Sequence, residues 1–317
     1  MNRPIGGFET VRTALVLTAG MGTRLLPLTL VRAKPAIPVA GEPIIRRIIR
    51  WLVANAVTNV TLNLHYLPET LARVAGDGGD LGATVRYSWE QPTVLGSAGG
   101  PRQALDILGA ETFFLVNGDT LTDVDLKALA EAHLASDAVV TLALLPNVEP
   151  HRYGGVKLAS DGRVLGFAPR GPAATGSFHF VGAQIASRSV FDALPAGQPV
   201  NSIGGCYDAL LRHDPDAIRG FVTDASFWDI GTVDDYWRTS LAWSKDTDSI
   251  SSSARIDPSA TIRRSIIWDD VEVGADALLE ECIVTDGVRL ADGSTHRRKI
   301  LIRAGDGGTD VFPLEIA

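Results

Sequence analysis

Two cations, Arg24 and Lys34, flank a run of glycines and prolines in "LTAGMGTRLLPLTLVRAKPAIPVAGEP" (17–43), which directly follows the apolar segment "TALVL". These residue types suit a polyphosphate. Backbone N–H groups approach oxygen closely where side chains are absent, and two cations neutralise spreading charge. The plain alternative is a glycine turn with solvated cations. A dinucleotide site would need G-x-G-x-x-G at a strand-to-helix turn. Gly20 and Gly22 supply two of those glycines, but Leu25 stands at the third position. Pro27, Pro35 and Pro38 also bar a long helix directly after Gly22, because proline lacks the N–H donor and clashes inside a helix. A G-x-x-x-x-G-K-[ST] phosphate loop fails too, since no Gly-Lys-Ser/Thr occurs here. The segment is therefore expected to be a long loop that returns to a helix near Pro43, with free N–H groups around Ala19 to Thr23.

Two aspartates offer complementary chemistry. Asp119 closes "TFFLVNGD" and Asp229 lies in "FWDIGTVDDY". Mg²⁺ takes one or two carboxylates plus phosphate oxygens and water, although either Asp could equally form a turn or cap a helix. The six histidines show no metal-ligand spacing. His133, late in a predicted helix, is expected at the surface or as a cap. No G-x-S-x-G element suggests an acyl-enzyme. Glu9, Asp269–Asp270 and Glu280–Glu281 are expected to be solvated charges.

The elements that must position these groups follow from periodicity. Residues 13–18 read as a buried strand. Pro43 suits a first helical turn, after which Ile44, Ile45, Ile48, Ile49, Leu52 and Val53 mark one face and Arg46, Arg47 and Arg50 the other. Strands are predicted at 59–64, 83–90 and 138–145, a strand then a turn at 112–119, and helices at 68–76, 97–109 and 123–136. This alternation indicates a doubly wound, mostly parallel α/β sheet covered on both faces. From about 150 the short strands "YGGVKLA", "RVLGFA", "FHFVGAQIA" and "IRGFVTD" alternate with helices predicted at 189–194 and 201–213, and a closing helix spans 232–245. A polar linker, 246–254, leads into a segment whose apolar residues recur about every six positions, as in a left-handed parallel β-helix. At about 18 residues per coil it offers about two coils. That is too short for an acyltransferase domain but suits capping the main domain or contacting a second copy.

Composition narrows the function. The chain has 317 residues, 45 % hydrophobic and 21 % charged, and a net charge of −8. No basic field invites nucleic acid or an anionic membrane surface. The apolar runs fall well short of the roughly 18 residues of a membrane span, and "MNRPIGGFETVRT" has no apolar signal core. Cys206 and Cys282 lie far apart with no C-x-x-C and read as buried or incidental thiols in a reducing, cytoplasmic setting.

The opening stretch resembles the signature of sugar-1-phosphate nucleotidyltransferases, L-x-A-G-x-G-T-R-L-x-P-L-T followed by K-P and P-V-x-G-x-P. Thr18 stands where Ala is usual, and Ala33 where Pro often precedes the lysine. "NLHYLPETL", "EQPTVLGSAGGPRQAL" (with Ser97 for the usual Thr), "FFLVNGDTLTDVDL" and "FWDIGTVDDY" are similar to later motifs of the same family, in order, so the likeness covers about residues 12–245. It implies a Rossmann-like nucleotidyltransferase domain at 1–245, with a nucleotide half at about 12–145 and a sugar half at about 146–245. A linker at 246–254 and a short left-handed β-helix with its tail at 255–317 follow.

The resemblance implies in-line attack by a sugar 1-phosphate on the α-phosphorus of a nucleoside triphosphate, giving an NDP-sugar and pyrophosphate with Mg²⁺ as cofactor. Arg24 and Lys34 take the catalytic roles, with Arg24 on the leaving β/γ phosphates and Lys34 near the α-phosphate. Asp119 and Asp229 hold the metal. Nucleotide contacts fall on Leu17, Ala19, Gly20, Met21, Gly22, Thr23, Arg24, Gln91, Gly96, Ser97, Asn117 and Gly118. The sugar phosphate falls to Gly154 and Gly155 of "YGGVKL" and to Arg170, because "GFAPRGP" lacks the lysine of the family's Glu-Lys-Pro. The Gln91 amide matches O4 and N3–H of uracil or thymine, whereas a carboxylate, as at Glu90, suits guanine. The lean is toward a pyrimidine nucleotide, with a mannose- or heptose-type guanylyltransferase as the alternative. A catalytically silent regulatory subunit would be expected to lack Arg24, Lys34 or one aspartate, and all are present. A nicotinamide oxidoreductase is disfavoured by the proline-rich loop. Expected partners are the two substrates and, through the β-helix, a homo-oligomer, with neither nucleic acid nor membrane.

Overall fold

The apolar run Thr13–Leu17 forms the expected strand, and Ala14, Leu15 and Val16 are fully buried in it. The structure is a computed structural model that describes residues 11–245 and 248–316. Glu9, most of the N-terminal stretch and the first two residues of the expected linker lie outside the described residues. Seven helices occur among them: α1 (Ile44–Ala54), α2 (Pro68–Ala75), α3 (Gly96–Leu108), α4 (Leu126–Leu134), α5 (Ser189–Asp192), α6 (Tyr207–His213) and α7 (Val233–Trp243). The chain divides into two units. One holds residues up to Gly20, Ile48–His65 and Gly76–Phe227; the other holds Met21–Arg47, Tyr66–Ala75 and the chain from Trp228 onward.

The first unit is built on a nine-stranded sheet. Thr84–Trp89, Asn59–Leu64, Thr13–Leu17 and Thr112–Asn117 lie side by side and parallel, with Leu17 opposite Asn117 and Leu64 opposite Trp89. Parallel pairing puts all four carboxyl ends on one edge, where open α/β sheets bind ligands. Beyond Thr112–Asn117 the direction changes, because Phe178–Ser187 joins it antiparallel and also pairs antiparallel with Val140–Pro146. Ile218–Val222 runs parallel to Val140–Pro146, and Gly155–Leu158 pairs antiparallel with Val164–Ala168. Leu15, Leu105, Phe113, Leu115, Leu142, Phe191 and Tyr207 share the core, each contributing about 1.5–3 kcal/mol by burial.

Two local expectations are corrected here. The helix expected at 201–213 is broken, because Ile203 is extended and Gly204 adopts φ 77°, so regular helix starts only at Tyr207. The Asp208 carboxylate accepts from Gly204 N at 2.7 Å and holds the break. His133 is not at the surface. It is 4 % exposed, with Nδ1 2.9 Å from Thr141 Oγ1, because α4 turns that side onto the sheet; burial lowers its pKa.

The second unit contains the proline-rich loop as three short 3-10 turns, Thr23–Leu25, Leu28–Leu30 and Lys34–Ala36, then a Pro38–Val39/Glu42–Pro43 hairpin. The prolines thus have the effect expected of them. The C-terminal segment is a three-sided parallel β-helix of the left-handed type. Its register, Ser249↔Ile266↔Ile283↔Ile300, repeats every 17 residues rather than 18 and closes three coils rather than two. Ser249–Ile250, inside the expected linker, already forms its first strand. Arg264, Glu281 and Arg298, also 17 apart, make one corner with φ 47°, 51° and 51°. Val271, Leu279, Cys282, Val284, Val288 and Leu301 fill the interior.

Of the acidic residues expected to be solvated in this segment, Asp269, Glu280 and Glu281 are engaged in ion pairs, while Asp270 is exposed as expected. Glu280 pairs with Arg297 at 2.9 Å, Glu281 with Arg264 at 3.5 Å and Arg298 at 3.8 Å, and Asp269 with Arg32. Stacking each coil on the next lines up residues of opposite charge, which the linear sequence conceals. Among the described residues no helix is long and apolar enough to cross a membrane.

Candidate active site

In the first unit the predicted residues gather at the carboxyl ends of the parallel strands. Leu17 ends its strand, and Thr18, next in line, is tied to Asn63. Thr18 N donates to Asn63 Oδ1 at 2.5 Å, and Thr18 Oγ1 donates to Asn63 O. Asn63 Nδ2 donates to Glu90 Oε1 at 2.6 Å, and Leu95 N donates to Glu90 Oε2 at 2.6 Å. Glu90 is 1 % exposed, and both its oxygens serve the protein's own donors, while Gln91 beside it is exposed. The chain leading to Ala19 and Gly20 is thereby held against the loop that leads to Gly96.

Asn117 ends the neighbouring strand, and Gly118 N donates to Leu17 O at 2.9 Å. A Cβ on Gly118 would lie 2.5 Å from that oxygen, so only glycine lets the turn pack so closely. Asp119, half-buried, follows directly. Gly96 and Ser97 open α3. The Ala98 and Gly99 N–H groups of its first turn already donate to Val200 O at 2.9 and 3.0 Å, and Ser97 Oγ accepts from Ser202 N at 2.8 Å.

In the sugar half, a Cβ on Gly154 would lie 3.1 Å from Ala168 O and 3.9 Å from Arg170 N, so the backbones of Gly154 and Arg170 are neighbours. The Arg170 side chain is exposed, and Gly155 is buried at the start of its strand. Beside them Tyr153, His179 and Phe227 form an aromatic cluster, with the His179 ring centroid 4.1 Å from Tyr153 and 4.6 Å from Phe227. Burial, aided by the Arg152 charge, lowers the His179 pKa to about 4. Its buried Nε2 has no hydrogen-bond partner among the described residues.

In the second unit, Met21 is exposed and Gly22 adopts φ 62°, a left-handed conformation that glycine takes without strain. Leu25 N then donates to Gly22 O at 2.9 Å, closing the turn that carries Thr23 and exposed Arg24. A Cβ on Gly22 would meet Thr29 Cγ2 at 2.8 Å and Lys34 Cβ at 3.2 Å, so Gly22 packs against the Lys34 stem. Lys34 is 8 % exposed, and the preceding Ala33 N donates to Thr70 Oγ1 at 2.9 Å.

Around Gly231, Arg24 Nη1, Asp229 Oδ2 and Asp235 Oδ2 lie 3.1, 3.1 and 3.2 Å from where a Cβ would sit. Asp235 is spoken for by the capping box of α7, accepting from Thr232 N at 2.8 Å. The structure therefore brings Gly22 to Lys34 and Arg24 to Asp229. Among the described residues no three His, Cys, Asp or Glu side chains form a metal site by themselves. Asp119 in the first unit and Asp229 in the second each offer a hard-oxygen donor of the kind Mg²⁺ takes. Burial pushes the Cys206 thiol up to about 12 and raises that of Cys282, which disfavours the thiolate form at both.

Sequence reasoning missed the Thr18–Asn63–Glu90 network and Arg32. A polar Asn in the apolar strand "NVTLNL" was the available sign of the first. The 17-residue spacing of Asp269 and Asp286, both bonded to Arg32, was that of the second.

The family model for nucleotidyl transferase matches residues 13–246. The chain is 31 % identical over 299 residues to mannose-1-phosphate guanylyltransferase of Mycobacterium tuberculosis, a match covering 90 % of this chain and 83 % of that one. It is 34 % identical over 222 residues to N-acetylmuramate alpha-1-phosphate uridylyltransferase of Neisseria meningitidis, covering 69 % and 93 %. The crystal structure of HddC from Yersinia pseudotuberculosis shares the fold, with a TM-score of 0.64 at 24 % identity over 74 % of this chain and 100 % of the other. A glycine–proline loop bearing Arg24 and Lys34, strand ends bearing Asn117 to Asp119, and these matches agree: the chain belongs to the nucleotidyl transferase family, among the sugar-1-phosphate nucleotidyltransferases, enzymes that join a nucleotidyl group to a sugar 1-phosphate.

Proposed function

We propose that this protein is a Mg²⁺-dependent guanylyltransferase that converts GTP and a mannose-type sugar 1-phosphate into GDP-sugar and pyrophosphate. The observation that carries the choice of substrates is the extent of the match. Likeness to the mannose-1-phosphate guanylyltransferase covers 90 % of the chain and so must reach into the β-helix, whereas likeness to a heptose-1-phosphate guanylyltransferase and to the uridylyltransferase covers 70 % and 69 %, so the extent favours the mannose-type enzyme in particular. The Gln91 amide is compatible with this reading. The O6/N1–H edge of guanine presents the same acceptor–donor pair as O4/N3–H of uracil, so one amide serves either base.

The sugar-phosphate oxygen attacks the α-phosphorus in line as the P–O bond to pyrophosphate breaks. That oxygen is already anionic, so no general base is needed, and the residues work by alignment and charge stabilisation. Arg24 holds the leaving β and γ phosphates, and Lys34 meets the charge that develops at the α-phosphate. Backbone N–H groups of residues 19–23, with Gly96, Ser97, Asn117 and Gly118, seat the nucleotide. Gly154, Gly155 and Arg170 seat the sugar phosphate. Sugar nucleotidyltransferases generally use a divalent metal; here Asp119 and Asp229 would supply its protein ligands, and the ion would neutralise phosphate charge. Residues 1–245 carry the reaction. We place the protein in the cytoplasm, in keeping with its two free cysteines.

The test is pyrophosphate release with Mg²⁺, each of GTP, UTP and dTTP, and mannose or glucose 1-phosphate. GTP with mannose 1-phosphate is expected to give the highest kcat/KM. Preference for UTP or dTTP overturns the base, and no release with any pair overturns the reading. Lys34→Ala and Asp119→Ala should each lower kcat by roughly 100- to 1,000-fold, with circular dichroism unchanged.

A further inference from the structure

Arg32 has no part in the chemistry above, yet it lies two residues before Lys34 and is 7 % exposed. Its guanidinium grips the β-helix. Nε and Nη2 donate to the two oxygens of Asp286, each at 2.7 Å, and Nη2 also donates to Asp269 at 2.5 Å. Nη1 turns back to the loop and donates to Ala36 O at 3.3 Å. The group lies 5.4 Å from the centre of the Trp268 ring.

A second chain of bonds reaches the far end of the same loop. Trp268 Nε1 donates to Tyr236 Oη at 2.8 Å, and Tyr236 Oη donates to Pro38 O at 2.9 Å. Trp268 and Tyr236 are both fully buried. Between these two anchors the loop is also tied at Ala33, whose N donates to Thr70 Oγ1 at 2.9 Å, and at Ile37, whose O accepts from Ile44 N at 3.0 Å. Its 3-10 turn is closed by Ala36 N to Ala33 O at 2.8 Å and Ile37 N to Lys34 O at 3.2 Å. Asp286 accepts in the paired geometry that fixes both distance and angle of a guanidinium, which a lysine ammonium cannot reproduce.

We infer that the β-helix is a positioning device for Lys34: Asp269, Asp286 and Trp268 clamp the loop at Arg32 and Pro38 and so set where the Lys34 ammonium stands. Arg32 is a positioning residue that acts through Lys34, and the inference rests on the catalytic role proposed for that lysine. A misplacement of about 1 Å costs a reaction that depends on alignment on the order of 100-fold.

The experiment is steady-state pyrophosphate release by Arg32→Lys, Asp286→Asn, Lys34→Ala and the double variant R32K/K34A. Arg32→Lys and Asp286→Asn should each lower kcat about tenfold or more, with KM for both substrates within about twofold of the parent. The double variant should be no slower than Lys34→Ala alone. Parental kcat in folded Arg32→Lys or Asp286→Asn overturns the inference, as does a double variant slowed by the product of the single effects. Normal turnover in Lys34→Ala sinks the reading of that lysine and the inference with it, whereas a crippled Lys34→Ala beside a fully active Arg32→Lys sinks the inference alone. Should the charge variants fail to fold, Trp268→Phe removes one hydrogen bond and Tyr236→Phe two, each while keeping a ring, and the same fall in kcat at constant KM is expected.

Discussion

Each unit contains a buried polar network that grips one part of the glycine-rich signature. In the first unit Thr18, Asn63, Glu90 and Leu95 form a run of short hydrogen bonds around a single carboxylate, with Asn63 2 % and Glu90 1 % exposed. In the second unit Arg32 meets two carboxylates that stay partly wet, their side chains 28 % and 47 % exposed at Asp286 and Asp269. Burial and pairing pull against each other here. Burial wins at Asp286 and pushes its carboxyl up, whereas at Asp269 the Ser251 and Arg32 contacts outweigh burial and pull it down. A dry network holds by hydrogen bonds that have no substitute, and a wet one holds by charge that water can partly replace.

That contrast orders the expected effects. Glu90→Leu leaves Asn63 Nδ2 and Leu95 N without acceptors in a dry site. It should cost about 3–4 kcal/mol, read as a melting temperature lower by roughly 10 °C. Tyr236→Phe leaves Trp268 Nε1 and Pro38 O without partners in a buried site, so about 2–3 kcal/mol is expected by urea titration although the ring still packs. Arg32→Met strands two carboxylates that water can reach, so about 1–3 kcal/mol is expected. One molar NaCl should narrow the gap between Arg32→Met and the parent while leaving that of Glu90→Leu unchanged. An equal salt response would erase the distinction between the networks.

His179 belongs to neither network and sharpens the contrast through pH. Its folded pKa of about 4 lies below the ordinary 6.5, so the unfolded chain takes up a proton first as the pH falls. The stability it contributes is therefore present above pH 6.5 and is lost down to about 4. Allowing for screening of a part-exposed ring, the loss is about 1–2 kcal/mol. His179→Phe should flatten the melting temperature over that window, and an unchanged slope would show that the imidazole protonates freely.

The sequence carried the loop, because prolines act through local geometry. Pro27, Pro35 and Pro38, so closely spaced, bar any long α-helix there although a single Pro101 is tolerated inside α3, and α1 begins at Ile44 as the pattern of isoleucines requires. It carried Gly118 and Asp119 through the turn that ends a buried strand. Partners far apart along the chain were not legible. Arg32 and Asp286 are 254 residues apart, and nothing local to either announces the other. The coil length was misjudged because apolar spacing near six does not separate 17 residues from 18. His133 was misplaced because one polar ring on a helix gives no sign that Thr141 waits opposite it.

The 17-residue repeat makes the β-helix a gauge of register. The positions equivalent to Asp269 and Asp286 on the flanking coils are Ser252 and Arg303. Sliding the stack by one coil in one direction would face Arg32 with a serine and one aspartate, and in the other with an aspartate and another arginine. Only the present count offers two carboxylates, so the number of coils between α7 and Asp269 is held by a single guanidinium. Whole coils can be added beyond Arg303 without disturbing it, but none can be inserted before Asp269.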